Sequence, residues 1–125
     1  MEYDLKSLNK EQLDPVMDTQ GAILVTAGAG SGKTRLLTHR IAYLITEKGV
    51  SPYNILAITF TNKAAGEMAE RLNQMTSDGQ YVWVSTFHSM CAKILRRYAG
   101  FLGYTQSFSI YAEAEKEKLI GTIVA

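Results

Sequence analysis

The sequence is organised around a glycine-rich segment at positions 23–34, which reads Ile23-Leu24-Val25-Thr26-Ala27-Gly28-Ala29-Gly30-Ser31-Gly32-Lys33-Thr34. A short apolar run ends in small residues and glycines, and Lys33-Thr34 then opens a segment with helical periodicity. This order predicts a strand, a phosphate-binding loop and a helix. The strict loop pattern has glycine where this chain has Ala27, so the formal match is partial.

The residue types of this loop suit a nucleoside triphosphate. Glycines let the backbone adopt conformations that other residues avoid, and they let N–H groups approach phosphate oxygens. We expect Lys33 to contact the β- and γ-phosphates and the Thr34 hydroxyl to bind Mg²⁺. A glycine-rich turn without a ligand is the plainer alternative, but it has no need of Lys-Thr at this spacing. The residues predicted to surround the phosphates are Ala27, Gly28, Ala29, Gly30, Ser31, Gly32, Lys33 and Thr34.

The composition is that of a single globular domain. The chain has 125 residues, of which 46% are hydrophobic and 20% charged, with a formal net charge of +1. This charge excludes a globally basic protein, so any nucleic-acid contact must come from a local patch. The single cysteine, Cys91, excludes an internal disulfide and fits a reducing compartment. We find no signal-peptide pattern and no apolar stretch of membrane-spanning length, so we expect a cytoplasmic protein without a membrane partner.

Hydrophobic periodicity predicts strands that alternate with helices. Strands are predicted over residues 22–26, 55–60 and 81–85. Helices are predicted over residues 9 to about 18, from 33 to about 48, from about 62, after 86, and over about 112–124. This alternation predicts a parallel sheet with right-handed crossovers. The strand over residues 55–60 is nearly all apolar, as expected of a strand covered on both faces. Ligands of such sheets bind at the carboxyl ends of the strands.

The carboxyl ends of two predicted strands carry aromatic and hydrogen-bonding side chains. Residues 59–65 read Thr-Phe-Thr-Asn-Lys-Ala-Ala, and residues 84–89 read Val-Ser-Thr-Phe-His-Ser. Hydroxyls, an amide and a lysine can hold phosphates, and an exposed phenylalanine can stack on a base, which suggests a single-stranded nucleic-acid groove. These residues also have ordinary explanations, which stay open. Thr61 and Asn62 could be helix N-caps, Phe60 and Phe87 could belong to the core, and His88 could make a local hydrogen bond.

Four segments together resemble the opening motifs of UvrD/Rep/PcrA-type superfamily 1 DNA helicases. The matching segments are residues 8–12, 27–35, 59–68 and 84–89, and the resemblance covers residues 8 to 104. Ala27 is usual in that family. The resemblance implies an α/β fold, a P-loop NTPase (RecA-like) parallel sheet with flanking helices. It makes residues 1–125 the N-terminal portion of an incomplete motor domain 1A.

The resemblance also implies roles for individual residues. Gln12 would contact the adenine edge and Arg35 would lie against the nucleotide, with ATP and Mg²⁺ as cofactors. From the residues alone, Gln12 could instead bond its own helix N-cap, and Arg35 could be a solvated helix residue. The residues expected to line the single-stranded DNA groove are Phe60, Thr61, Asn62, Thr86 and His88, with Lys63 as a phosphate contact.

The resemblance implies the ATP-binding part of an ATP-dependent DNA helicase that moves 3′→5′ on single-stranded DNA and unwinds duplexes at single-strand/double-strand junctions. Hydrolysis also needs a carboxylate pair at a strand end and arginines on the γ-phosphate. No apolar run here ends in Asp-Glu, so we expect the chain alone to be inactive. The alternatives are a small self-contained P-loop kinase or NTPase, and a non-catalytic nucleotide- or DNA-binding module.

Three further positions carry weaker predictions. Cys91 falls among apolar helix positions and is predicted to be buried. His39 is placed on the polar side of the second helix. The cations Lys93, Arg96 and Arg97 are predicted to share one helix face, either as a solvated face or as a weak phosphate patch.

Overall fold

The structure is a computed structural model that describes residues 3–30 and 32–125. It has a mixed α/β architecture whose strands form a two-stranded parallel sheet. In chain order the elements are α1 (Lys10–Met17), α2 (Lys33–Thr46), β1 (Leu56–Thr59), α3 (Asn62–Met75), β2 (Trp83–Thr86), α4 (Phe87–Tyr98) and α5 (Glu113–Val124). Short 3₁₀ helices lie at Leu5–Ser7, Pro52–Asn54, Gly79–Tyr81 and Ala99–Leu102.

The two strands are joined by α3, as a parallel pair requires. Leu56 pairs with Trp83 at one end of the sheet and Thr59 pairs with Thr86 at the other. This confirms the predicted strand, helix, strand order. The prediction that the strand over residues 55–60 is covered on both faces is wrong, because Leu56 is 44% exposed. Helix α3 packs against both strands, and side chains alternate across a sheet, so Ala57 meets the core while Leu56 lies on the opposite face.

The predicted strand over residues 22–26 is wrong. The structure places residues 22–28 in neither a helix nor a strand. A strand needs a neighbour for its backbone hydrogen bonds, and in the described chain β1 and β2 pair only with each other. The segment still alternates, since Ile23 and Val25 line a cavity of about 260 Å³ against α2 while Leu24 is 89% exposed.

Helix α2 is buried on two sides. One hydrophobic cluster joins it to α3 and to the start of β2: Ile41, Ile45, Met68, Leu72 and Val82. A second cluster joins it to α1 and the N-terminal segment: Leu8, Val16, Leu36 and Tyr43. The Arg40 guanidinium donates to the carbonyl oxygens of Pro15 and Asp18, which ties the end of α1 to α2. These contacts fix the first turn of α2 relative to α1.

The chain divides into two compact units between Phe87 and His88. In the second unit, Leu95, Ala99 and Leu102 line a cavity of about 340 Å³ together with Tyr104 and Phe108. No helix in the described part of the chain has both the length and the apolar character needed to cross a membrane.

Candidate nucleotide and nucleic-acid sites

The glycine-rich loop leads directly into α2. Gly32 is the N-cap of this helix with φ +84°, and Gly30 has φ +76°, so both occupy the left-handed region that favours glycine. The predicted conformational role is therefore confirmed at these two positions. It is wrong for Gly28, where φ is not positive and an added Cβ would meet nothing within 4 Å. Ser31, predicted for the same loop, lies outside the described residues.

The first turn of α2 has the charge and exposure of an anion site. Lys33 and Thr34 are exposed, as are Ala27 and Ala29 in the loop. An N-cap glycine offers no side-chain acceptor to the first N–H groups, and the first turn holds no acidic residue. These N–H groups and the positive end of the helix dipole favour a phosphate. The Thr34 hydroxyl could add one oxygen to a Mg²⁺ shell of waters and phosphate oxygens, a ligand set that this ion accepts.

Gln12 links the first helix to this loop. Its backbone N–H donates to Asn9 Oδ1 at 2.8 Å, and its Oε1 accepts from the Asn9 N–H at 3.2 Å. The capping-box explanation is therefore confirmed. The same side chain also approaches the loop, because a Cβ added to Gly32 would lie 2.6 Å from Gln12 Nε2. Capping and contact with the phosphate loop are thus combined in one residue, and the adenine contact stays a prediction.

Arg35 is anchored to the N-terminal segment. Its Nη2 donates to the Ser7 carbonyl oxygen at 3.1 Å and to Ser7 Oγ at 2.6 Å. The alternative of a freely solvated helix residue is therefore wrong. Sequence reasoning missed Ser7, which lies 28 positions away and has no motif to mark it. Contact between Arg35 and a nucleotide stays a prediction.

One turn further along α2, His39 is 1% exposed. Its Nδ1 lies 2.8 Å from the Arg35 carbonyl oxygen, and since that oxygen only accepts, Nδ1 is the protonated ring nitrogen. The predicted location on the polar side of the helix is wrong. His39 holds the backbone of the turn that presents Arg35.

The two strand ends lie side by side at the second candidate site. The register pairs Thr59 with Thr86, so Phe60 and Phe87 leave adjacent strands at the same edge of the sheet. Phe60 is 94% exposed and Phe87 is 60% exposed. The alternative that these rings belong to the core is therefore wrong for both.

The polar residues of the strand ends divide into two groups. Thr61 is the N-cap of α3, its Oγ1 accepting from the Ala64 N–H at 3.1 Å, which confirms the capping alternative there. Asn62 is the first helical residue rather than the N-cap, and its Oδ1 accepts a long 3.5 Å bond from Thr86 Oγ1. Thr86 is only 5% exposed.

Two more residues predicted for the groove lie in the first turns of α3 and α4. Lys63 is exposed at the second position of α3. His88 is exposed on α4 and belongs to the second unit. The predicted burial of Cys91, three residues further on, is wrong because this thiol is exposed.

Comparison with known proteins identifies the family. The family model described as UvrD/REP helicase N-terminal domain matches residues 8–125. The chain belongs to this family. The ATP-dependent DNA helicase PcrA of Staphylococcus aureus (strain Mu50) is 53% identical over 121 residues, which are 96% of this chain and 17% of that relative. PcrA of Staphylococcus epidermidis (strain RP62A) matches with the same identity and coverage.

The UvrD/REP family assignment confirms the resemblance drawn from the four motifs. The chain spans 17% of the length of the curated relatives that it matches. Within this UvrD/REP chain, the structure brings Gln12 to Gly32 and Asn62 to Thr86.

Proposed function

We propose that this chain is the ATP-binding part of an ATP-dependent DNA helicase. The observation that carries the proposal is the start of α2, where the left-handed N-cap Gly32 leaves the first helical N–H groups without a side-chain acceptor. Lys33 and Thr34 follow at the positions where a triphosphate and its Mg²⁺ would lie. The relatives named ATP-dependent DNA helicase PcrA support the same activity.

ATP would be held at both ends by this part of the chain. Lys33 neutralises the β- and γ-phosphates, and the loop N–H groups contact their oxygens. Gln12, fixed through its Oε1 by the capping box, presents its amide group beside Gly32 for the adenine edge. Arg35 lies one turn further, held by Ser7. Binding, rather than hydrolysis, is the activity proposed for these residues.

Single-stranded DNA would bind at the strand ends. The exposed Phe60 ring offers a face on which an unstacked base can stack, and Asn62 and Lys63 offer polar contacts to phosphates. His88, exposed in the second unit, would offer a polar contact from that unit. Thr61 and Thr86 have their hydroxyls engaged within the protein, so they position the edge. In the whole protein, ATP turnover would drive movement along one strand, 3′→5′, and separate duplexes at junctions.

The test combines two variants of the purified chain. Lys33→Ala should abolish binding of a fluorescent ATP analogue in Mg²⁺ while leaving the affinity for oligo-dT unchanged. Phe60→Ala should weaken oligo-dT binding by the loss of one stacked base, about 1–3 kcal/mol, and leave ATP binding intact. We expect almost no hydrolysis by the chain itself.

Two results would contradict the proposal. Rapid ATP turnover that is indifferent to DNA and lost in Lys33→Ala would indicate a self-contained NTPase or kinase. Unchanged DNA affinity in Phe60→Ala, with the fold intact by circular dichroism, would remove the strand ends from the DNA site.

A further inference from the structure

We propose that the second unit carries an additional contact for single-stranded DNA, formed by Lys93, Arg97 and Phe101. These three residues are called the α4 stripe below. The inference rests on the proposed function, since it assumes that the protein works on a single strand. It concerns residues that none of the predicted site motifs includes.

The first observation is local charge. Residues 79–111 contain Lys93, Arg96 and Arg97 and no Asp or Glu, although the whole chain has a net charge of only +1. An acid-free stretch of this kind produces a local positive potential on a nearly neutral protein. Such a patch is the electrostatic signature of a phosphate-backbone contact.

The second observation is that the structure gives the cations of α4 different ring contacts. Leu95 and Ala99 line the apolar cavity closed by Phe108. The Arg96 guanidinium lies 5.3 Å from the centre of the Phe108 ring, a cation–π contact within the unit. Positions 93, 96 and 97 are three and four apart on α4, so the three cations share one helix face as predicted, and Arg96 differs from the other two in its contact with Phe108. Lys93 and Arg97, two positions away from Leu95 on either side, project from the face opposite Leu95 and are exposed.

The third observation is the aromatic group beside Arg97. The Arg97 guanidinium is 5.8 Å from the Tyr98 ring centre, and the Tyr98 ring is 6.2 Å from that of Phe101. Phe101 is 88% exposed. Exposed rings next to cations bind nucleic acid by stacking on bases, and base faces are available only where the strand is unpaired. This favours a single strand over a duplex.

The spacing of the α4 stripe fits one strand. Lys93 and Arg97 are one helical turn apart, about 6 Å along the axis, so they can contact different phosphates of the same strand. Phe101 follows after about one more turn, in the 3₁₀ segment Ala99–Leu102. Phosphates would lie along the two cations and a base would lie on Phe101.

The salt dependence of oligo-dT binding tests this geometry. Each phosphate contact to a single strand contributes about 0.7 to the slope of log affinity against log salt. The double variant Lys93→Ala/Arg97→Ala should therefore flatten the slope by about 1.4. The ratio of the oligo-dT affinity of the unmodified chain to that of this variant should then fall about sevenfold between 50 and 200 mM salt. Phe101→Ala should weaken binding about 5- to 150-fold with an unchanged slope, whereas Phe101→Tyr keeps the ring and the affinity.

The matched control is Lys116→Ala on α5. It removes the same charge within the same unit at a residue outside the α4 stripe, where the ammonium is paired with Glu113 Oε1 at 3.1 Å, so the slope should not change. Thermal unfolding of every variant shows whether the fold is retained, and alanine at exposed helix positions should preserve it.

Three outcomes would overturn the inference. The first is an unchanged slope in Lys93→Ala/Arg97→Ala while Phe60→Ala weakens binding, which would leave the proposed function standing. The second is that Lys93→Ala/Arg97→Ala changes the salt slope of binding to a blunt duplex but not to oligo-dT, which would mean that the α4 stripe binds double-stranded DNA. The third is no binding of oligo-dT by the unmodified chain, which would remove both the α4 stripe and the proposed DNA site at the strand ends.

Discussion

Replacing Gly32 with alanine tests how the phosphate loop is held. The backbone at Gly32 has φ +84°, a conformation that costs an L residue about 1–2 kcal/mol. The new Cβ would also lie 2.6 Å from Gln12 Nε2, closer than real Cβ contacts. The Gln12 side chain is flexible and can rotate away, but it then gives up its bond to the Asn9 N–H, worth about 0.5–1.5 kcal/mol.

The expected loss for Gly32→Ala is therefore about 1.5–3.5 kcal/mol of unfolding free energy. In a chain of 125 residues this corresponds to a fall in Tm of about 5–15 °C. The loop itself supplies two matched controls. Gly30 has a similar φ of +76° but nothing within 4 Å of an added Cβ, so Gly30→Ala should lose only the backbone part, about 1–2 kcal/mol. Gly28 has neither feature, and Gly28→Ala should lie within about 0.5 kcal/mol of the unmodified chain.

Urea unfolding followed by circular dichroism measures these differences. A double-mutant cycle with Gln12→Ala isolates the contact. In the Gln12→Ala background, Gly32→Ala should cost no more than Gly30→Ala, because the obstructing amide is gone. The reasoning would be refuted if the two substitutions were additive within about 0.3–0.5 kcal/mol, or if Gly28→Ala were as costly as Gly32→Ala.

Two further substitutions test the core and the first helix. Leu72→Ala should lower the unfolding free energy by about 2–5 kcal/mol, because Leu72 of α3 is completely buried in the cluster with Ile41 and Ile45 of α2; a loss below 1 kcal/mol in urea unfolding would contradict that packing. Asn9→Ala should cost about 1 kcal/mol through loss of the N-cap of α1, while Asn9→Ser should retain most of it. If Asn9→Ala and Asn9→Ser had equal Tm values, the Asn9 side chain would not stabilise α1 as its N-cap.

Elements specified by local signals could be predicted from the sequence. The Asn9 cap, the β1–α3–β2 order and the start of α3 depend on residues close together in the chain, and all three are confirmed. The strand over residues 22–26 could not be predicted reliably in the same way. An apolar run specifies a strand only when another strand lies beside it, and the described residues supply none. Its Ile23 and Val25 nevertheless face α2, as the alternation requires.

Burial of α2 shows a second limit of sequence patterns. Periodicity predicts one apolar face, with His39 on the polar side, but α2 lies between two clusters. Burial of Thr38 and His39 costs less because each side chain donates to a carbonyl oxygen one turn earlier, at Thr34 and Arg35. In the described part of the chain His39 Nε2 is buried without a hydrogen-bond partner. A hydropathy scale scores both residues as polar. It does not account for a side-chain donor that bonds to a carbonyl oxygen of its own helix.

The candidate sites depend on contacts that no local pattern contains. Gln12 and Gly32 are 20 positions apart, and Arg35 and Ser7 are 28 apart. Their residue types could be predicted from motif resemblance, but the shared contact between capping box and phosphate loop could not. A residue type at a given position limits the chemistry, whereas the tertiary packing of α1 on α2 decides which groups meet.

The exposure of Phe60 distinguishes it from the bonded threonines at the proposed DNA site. Burying a phenylalanine side chain gains about 1.5–3 kcal/mol, and at 94% exposure Phe60 gains almost none of it from this fold. Thr61 and Thr86 next to it are, in contrast, bonded to Ala64 and Asn62 within the protein. The threonines are therefore bonded within the strand ends, whereas the Phe60 ring is exposed. The affinity for a base at this edge is thus expected to depend on Phe60, with the two threonines acting only through its position.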